Sequence, residues 1–440
     1  MSSLSVLSGL NRRKFLLSGA AAMAAVAGLG AIPARAANTR ANIVITGAGA
    51  AGISLANRLT KALPNANITI IDRRETHYYW PGLTLVATGA WQKSKVLERN
   101  ASFLPSKVNW IKEMADVYEP DNKRVITDTG RVVNYDYLIV ATGVEYHYDA
   151  IEGMDVNAIG QNGLASVYNS PDAAAKTWDA IRKYSVEGGN GIFTLPSTPI
   201  RCAGAPLKMT LLTLDRLRQN GGMDKAQMNF YSATNNVFGL PWFNQFVLDR
   251  YEEAGMDVKF RTELTAVDIG ARKATFTQED GSQFTTDYDL LHVVPPMRAP
   301  RSVRESNLAW TEGNMAAGGW LAVDRDTLQH NTYPEVFGCG DVNGTPRGKT
   351  AATVKMSVPI VVQNLISVIA GEEPVAKFDG YTSCPLLTRF GAAMLIEFDY
   401  AGNLTPTYSF IDPKKESWFA WIMKDQMLKP TYLQMLKGNV

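Results

Sequence analysis

Short runs of β-branched and aliphatic residues alternate along this chain with longer stretches whose apolar residues recur at helical spacing, the pattern of an α/β protein with buried parallel strands. The run NIVIT from Asn42 leads into a glycine-rich turn, an Ala/Leu helix and a returning strand, ITIID, that ends at Asp72. A second buried strand lies in YDYLIVATG and ends at Ala141-Thr142-Gly143. A third lies in YPEVFGCGD and ends at Gly340-Asp341. Between these, residues 151–290 repeat the alternation, with a strand at 190–195, a helix at about 206–219, the strand MNFYSAT, the helix PWFNQFVLDRYEEAG and the strand MDVKFRT.

The first turn has the spacing Gly47-x-Gly49-x-x-Gly52, with Ala50 and Ala51 opening the helix. The three glycines have separate tasks there: a tight turn, close approach of backbone to a pyrophosphate, and close packing of helix on strand. Strand, glycines, helix, strand and acid in register within about 30 residues make a dinucleotide site. Asp72 is its ribose acid, and Arg73 and Val117 complete the candidate set. The expected fold is α/β with two Rossmann-like three-layer domains. Residues 41–150 and 291–375 form a dinucleotide domain, residues 151–290 an inserted second domain, and residues 376–440 a C-terminal segment.

No second GxGxxG occurs between residues 180 and 290, so the second domain lacks the phosphate loop a reduced nicotinamide would need. The turn after its first strand reads TPIRCAGAPLK, with Cys202 where that donor would have been held.

Composition excludes several classes. At 440 residues the chain can bury more than one core. Three cysteines, Cys202, Cys339 and Cys384, are too few for a disulfide scaffold, and no CxxC or Cys/His cluster suggests a metal site. A formal charge of +2 gives no nucleic-acid stripe. It includes Arg12, Arg13, Lys14 and Arg35, and removing those four positive charges makes it −2. These residues belong to a segment that resembles a twin-arginine export signal: Arg12-Arg13-Lys14-Phe15-Leu16, an Ala/Gly-diluted apolar stretch, and the cleavage-type Ala34-Arg35-Ala36. The alternative is an N-terminal anchor. The export reading implies removal of residues 1–36, a periplasmic location and a cofactor loaded before export.

Beyond the superfamily, THYYWPGLTLVATGAW, TPIRCAGAPLKM, LLHVVPPM, GYTSCPLL and LIEFDY together resemble the sulfide:quinone oxidoreductases, over roughly Asn42 to Lys437. The resemblance implies non-covalent FAD, with Ala141, Thr142 and Gly143 closing on the flavin domain, Gly340 and Asp341 at the ribityl chain, and Lys349 near the flavin pyrimidine edge. For Lys349 a solvated surface lysine is the other reading. The resemblance also implies a redox pair of Cys202 and Cys384. Sulfide attacks their bridge, a persulfide is left on Cys384, and Cys202 passes electrons to FAD and on to a membrane quinone, while an acceptor removes the sulfane sulfur. For either cysteine alone, a buried small hydrophobe is the ordinary alternative. Cys339 is read as a packed thiol.

Arg201 stands beside Cys202, where proximity would lower its pKa. His292 and Tyr79 read as a satisfied strand-end histidine and a packed tyrosine. Phe390 and Phe398 are core residues or a quinone sandwich. The tail ESWFAWIMKDQMLKPTYLQMLKGNV reads as two short helices around Pro430, lying in a membrane interface or packed on the body. Two other functions remain: a flavin subunit passing electrons to a c-type cytochrome, and a flavin-bearing sulfur-binding protein without turnover. The first loses its covalent flavin link here, because no cysteine lies between Asp72 and Arg201.

Overall fold

In a computed structural model, which describes Ala36 and residues 38–440, two five-stranded parallel sheets carry the fold. The first has the spatial order Val336–Gly338, Tyr137–Val140, Asn42–Thr46, Asn67–Ile71, Asn109–Ile111. Its central strands are rich in Ile and Val because they are buried: helices Ala50–Ala62 and Ala351–Ala370 contact the sheet, and Tyr118 of the antiparallel strand Ala115–Glu119 bonds to Thr46 of its central strand. Ile43 pairs with Ile68 on one side and Tyr137 on the other, so Asn42–Thr46 is the central strand. The loops leaving the carboxyl ends of the three neighbouring strands therefore open into one crevice, where strand order reverses.

The second sheet has the order Leu164–Ala165, Leu290–His292, Gly189–Leu195, Ala226–Ser232, Asp257–Lys259, again all parallel. MDVKFRT is not one strand: it breaks at Phe260-Arg261, where Arg261 takes a left-handed φ of 51°, and Thr262–Asp268 joins a separate antiparallel sheet. Helix Pro171–Glu187 starts on a Ser170 cap that accepts from Ala173 N–H, with proline in its first turn. Helix Ala205–Asn220 ends at Gly221 in the left-handed conformation.

The longest helix, Ala351–Ala370, is capped by Thr350 and runs through the core. It is the one helix among the described residues long and apolar enough to cross a bilayer, and most of it is buried inside the fold. A hairpin of Thr382–Arg389 and Ala392–Phe398 lies along helix Ala205–Asn220 and is fastened there by Asp215, which accepts from Phe390 N–H at 2.8 Å.

The tail departs from the expected pair of pieces. Trp418–Ile422, a π-helical turn Met423–Met427 and Leu428–Leu436 follow one another without a break, and Pro430 falls in the first turn of the last. The π-helical turn just before it is where the run departs from α-helical hydrogen bonding, next to a residue that has no N–H to donate. Tyr432, Met435 and Leu436 are buried. Asn57, Arg58 and Lys61 bond to carbonyls of Leu436, Lys437, Gly438 and Val440. This end of the tail is packed on the body. The export segment, apart from Ala36, lies outside the described residues.

Candidate functional site

The first crevice is built by the glycine turn. Gly47 has φ of +102°, and a Cβ there would meet Ala141 O at 2.4 Å. A Cβ on Gly52 would meet Gly47 O at 1.8 Å. On Gly49 it would meet nothing within 4 Å. Helix Ala50–Ala62 begins at Gly49 with no side-chain cap, so its first N–H groups face that opening. Gly340 lies across from it, its virtual Cβ 3.3 Å from Ala51. Thr142 keeps a buried hydroxyl without a protein partner. Two glycines packed against backbone, one facing space, and an uncapped helix N-terminus fit a dinucleotide pyrophosphate.

Asp72, 1% exposed, accepts from Ala48 N–H at 2.7 Å and from the Arg74 guanidinium. Its burial opposes ionisation, but the bonds from Arg74 and Ala48 prevail and hold its carboxyl below the usual range. Asp72 thus fixes the turn itself, and Arg74, which the sequence reading passed over, is the guanidinium beside it. Arg73 points away to an ion pair with Asp128. Val117 is partly exposed on an antiparallel strand; its neighbour Tyr118 ties that strand to Thr46 through a 2.8 Å hydroxyl bond.

The second half of the site lies at the carboxyl end of strand Gly189–Leu195. The TPIRCAGAP turn places Cys202 in the left-handed region, φ 53°, just ahead of helix Ala205–Asn220. Cys384 arrives from the hairpin. The two sulfurs meet: both are free thiols, Cys384 donates to Cys202, and a Cβ on Gly204 would lie 2.1 Å from Cys384 Sγ. Lys208, one turn into the helix and 2% exposed, donates from Nζ to Cys202 Sγ at 3.3 Å. Lys424 of the π-helical turn, also 2% exposed, bonds to Pro81 O and adds positive field.

These neighbours split the pair. The bond from Cys384 holds Cys202 well below the ordinary thiol range, with Lys208 reinforcing it against desolvation. Donating that bond, together with burial, pushes Cys384 up. Cys202 is the thiolate and Cys384 the thiol, because the nearest ammonium contacts Cys202. Burial, with repulsion from Lys208, lowers Lys424 to about 7. Tyr168, whose buried hydroxyl has no protein partner, lies within electrostatic reach of both sulfurs. Lys208, Lys424 and Tyr168 were missed because their sequence neighbourhoods read as core helix, tail margin and loop.

Other expectations change. Lys349 is neither solvated nor inside the helix: it precedes the Thr350 cap, lies over the Trp320 ring at 3.5 Å and donates to Asp341 O and Asn343 O. Burial lowers it to about 7. Arg201 does not reach the sulfur and is committed to Asp341 at 2.6 Å. His292 is fully buried against Phe193, but neither ring nitrogen has a protein partner, so it is not a satisfied histidine. Phe390 and Phe398 stand at opposite ends of the hairpin, which rules out a shared ring between them. Tyr79 is packed against Tyr432 and Trp91, and Cys339 is buried beside Ser357, its thiol pushed up to about 12 by desolvation.

A parallel sheet with a glycine crevice, joined to a second such sheet that presents a cysteine pair, defines a flavoprotein of the disulfide-reductase class. Residues 41–189 match the pyridine nucleotide-disulphide oxidoreductase family model. The chain is 36% identical over 400 residues to the mitochondrial sulfide:quinone oxidoreductase of Dictyostelium discoideum, covering 90% of this chain and 86% of that one. It is 34% identical over 396 residues to the mitochondrial sulfide:quinone oxidoreductase of Mus musculus, with the same coverage. The solved sulfide:quinone oxidoreductase of Aquifex aeolicus superposes with a TM-score of 0.73 at 22% identity, over 91% of this chain and 92% of that one. The chain belongs to the sulfide:quinone oxidoreductase family. It is an oxidoreductase of a family whose members bind FAD.

Proposed function

We propose that this enzyme oxidises sulfide by two electrons at Cys202 and Cys384 and passes them to a membrane quinone. The observation that carries the reading is the meeting of Cys202, with Lys208 Nζ 3.3 Å from its sulfur, and Cys384, brought together by the turn, the helix and the hairpin.

In the oxidised form the two sulfurs are joined. Hydrosulfide attacks Cys384 Sγ, a new S–S bond forms there, and the Cys202–Cys384 bond breaks with its electron pair leaving on Cys202. The lower-pKa thiol is the better leaving group, and Lys208 neutralises the charge that appears on it. A nucleophilic acceptor then takes the sulfane sulfur from the Cys384 persulfide and leaves a second thiolate. Rejoining the two thiolates as a disulfide releases the two electrons that came from sulfide. Gly47, Gly49, Ala50, Ala51, Gly52, Thr142, Gly143, Gly340 and Asp341 would hold FAD, which would supply the two-electron acceptor and the relay to quinone. Lys349, buried beside Asp341, places an ionisable ammonium at the same crevice.

The ring contacts of Phe410 with Tyr408 and Phe419, together with the exposure of Phe410 and Trp418, 66% each, support a peripheral membrane contact. With the export segment it supports a periplasmic enzyme on the inner membrane.

Anaerobic sulfide added to the FAD-loaded protein should bleach the flavin, and a quinone should restore it faster than cytochrome c. C202S and C384S should keep FAD and lose the bleaching. Bleaching by NADH but not by sulfide would overturn the reading.

A further inference from the structure

Arg201, next in sequence to Cys202, bonds not to its sulfur but to residues of the dinucleotide domain. Its Nε donates to Asp341 Oδ2 at 2.6 Å and its Nη1 to the Tyr146 hydroxyl at 2.8 Å. The guanidinium plane lies 4.6 Å from the Trp80 ring centroid and 5.8 Å from that of Tyr146. Its backbone N–H donates to Met297 Sδ at 3.1 Å. Trp80, Tyr146 and Asp341 come from three segments of the dinucleotide domain, whereas Arg201 belongs to the inserted one.

The next residue, Cys202, needs such support. A non-glycine residue at φ 53° is strained and persists only where its surroundings over-determine it. The cation that meets the Cys202 sulfur is Lys208, so Arg201 is not required for charge there. A planar guanidinium can satisfy a carboxylate, a hydroxyl and a ring face together, which a lysine cannot.

We infer that Arg201 is a positioning residue for sulfide oxidation: by clamping Asp341, Tyr146 and Trp80 it locks the Cys202 turn of the inserted domain against the dinucleotide domain. The inference rests on Cys202 being a redox sulfur, and its test keeps the two ideas apart.

Compare FAD-loaded wild type, R201Q, R201K, Y146F and C202S. Four readings are taken: FAD content, thermal midpoint, the pH profile of Cys202 alkylation in the reduced protein, and anaerobic bleaching by sulfide. R201Q should keep its FAD and bleach about 10- to 100-fold more slowly at saturating sulfide, with KM little changed, the usual result of misplacing a reacting group. Its alkylation midpoint should rise as the sulfur drifts from Lys208. R201K should recover part of both losses, and Y146F should show a smaller shift in the same direction, which keeps the test open if R201Q folds poorly. An R201Q protein with a lowered thermal midpoint but wild-type alkylation profile and bleaching rate would overturn the inference and leave Arg201 a structural residue. Bleaching of C202S at the wild-type rate would instead overturn the redox role of Cys202 itself.

Discussion

The backbone N–H of Cys202 donates to the carbonyl of Lys349 at 2.9 Å. The Cys202 turn after the second sheet is therefore closed by a residue just ahead of the core helix Ala351–Ala370. The cysteine pair and the glycine crevice are linked through this backbone bond, and small changes on either side of it should be felt at the other.

Gly204, the cap of the helix that follows Cys202, has φ −86° and ψ −1°, so alanine is allowed by the backbone. Its Cβ would nevertheless fall 2.1 Å from Cys384 Sγ. G204A should fold and bind FAD but form the Cys202–Cys384 bridge poorly. Thiol titration before and after mild oxidation checks this: two thiols should disappear in wild type and remain reactive in the variant.

Gly49 and Gly52 make a discriminating pair. G52A drives a methyl into Gly47 O and should destabilise the whole domain, by several kcal/mol if the helix cannot shift. G49A meets no protein atom and should leave the thermal midpoint of the FAD-free protein within a few degrees of wild type. Its methyl would occupy the space assigned to the cofactor, so FAD retention through gel filtration should fall. Normal FAD content in G49A would sink the crevice assignment.

Cys202 should be alkylated by iodoacetamide well below the ordinary thiol range, because Cys384 and Lys208 both favour its thiolate. In K208M the midpoint should rise, and the rate of disulfide attack by sulfide should fall because the leaving thiolate loses its counter-charge. An unchanged profile in K208M would remove the lysine from this role.

Lys349 and Lys424 are both lowered to about 7 by burial. In the unfolded chain each would titrate near 10.4. Between those values the unfolded state binds protons that the folded state does not, so each lysine makes stability rise with pH across that window. The destabilising cost is full below pH 7 and relieved above it. The gain in urea midpoint between pH 7 and pH 9 should therefore be smaller in K424M than in wild type; an equal gain would place the Lys424 pKa elsewhere.

Removing the tail would be a poor test of membrane contact, since Tyr432, Met435 and Leu436 are core residues. The exposed aromatics can be changed without opening that core. F410S/W418S should keep folding and sulfide-dependent bleaching while losing much of its co-sedimentation with anionic liposomes. Undiminished co-sedimentation would count against this surface.

The hydrophobic pattern was enough to place the central strands of both parallel sheets, because they are buried and read as aliphatic runs, whereas Asn109–Ile111, Leu164–Ala165 and Leu290–His292 are too short to show a pattern of their own. The glycine turn was equally legible, since a pyrophosphate crevice needs glycine at fixed spacing. Where side chains rather than backbone spacing decide, the pattern was silent: nothing around Asp72 marks it as the partner of Arg74, and His292 reads as an ordinary strand end.

The sequence by itself determined the fold class, the dinucleotide turn and the presence of two cysteines in distinctive strings. It could not determine the environment of those cysteines. Lys208 is on a helix whose neighbours are apolar, and Lys424 is in a tail that looks amphipathic; only the packing of hairpin, helix and tail brings Lys208 against Cys202 and Lys424 within electrostatic reach of both sulfurs. Local patterns report local structure, whereas the charge that separates a Cys202 thiolate from a Cys384 thiol is assembled from segments far apart in the chain.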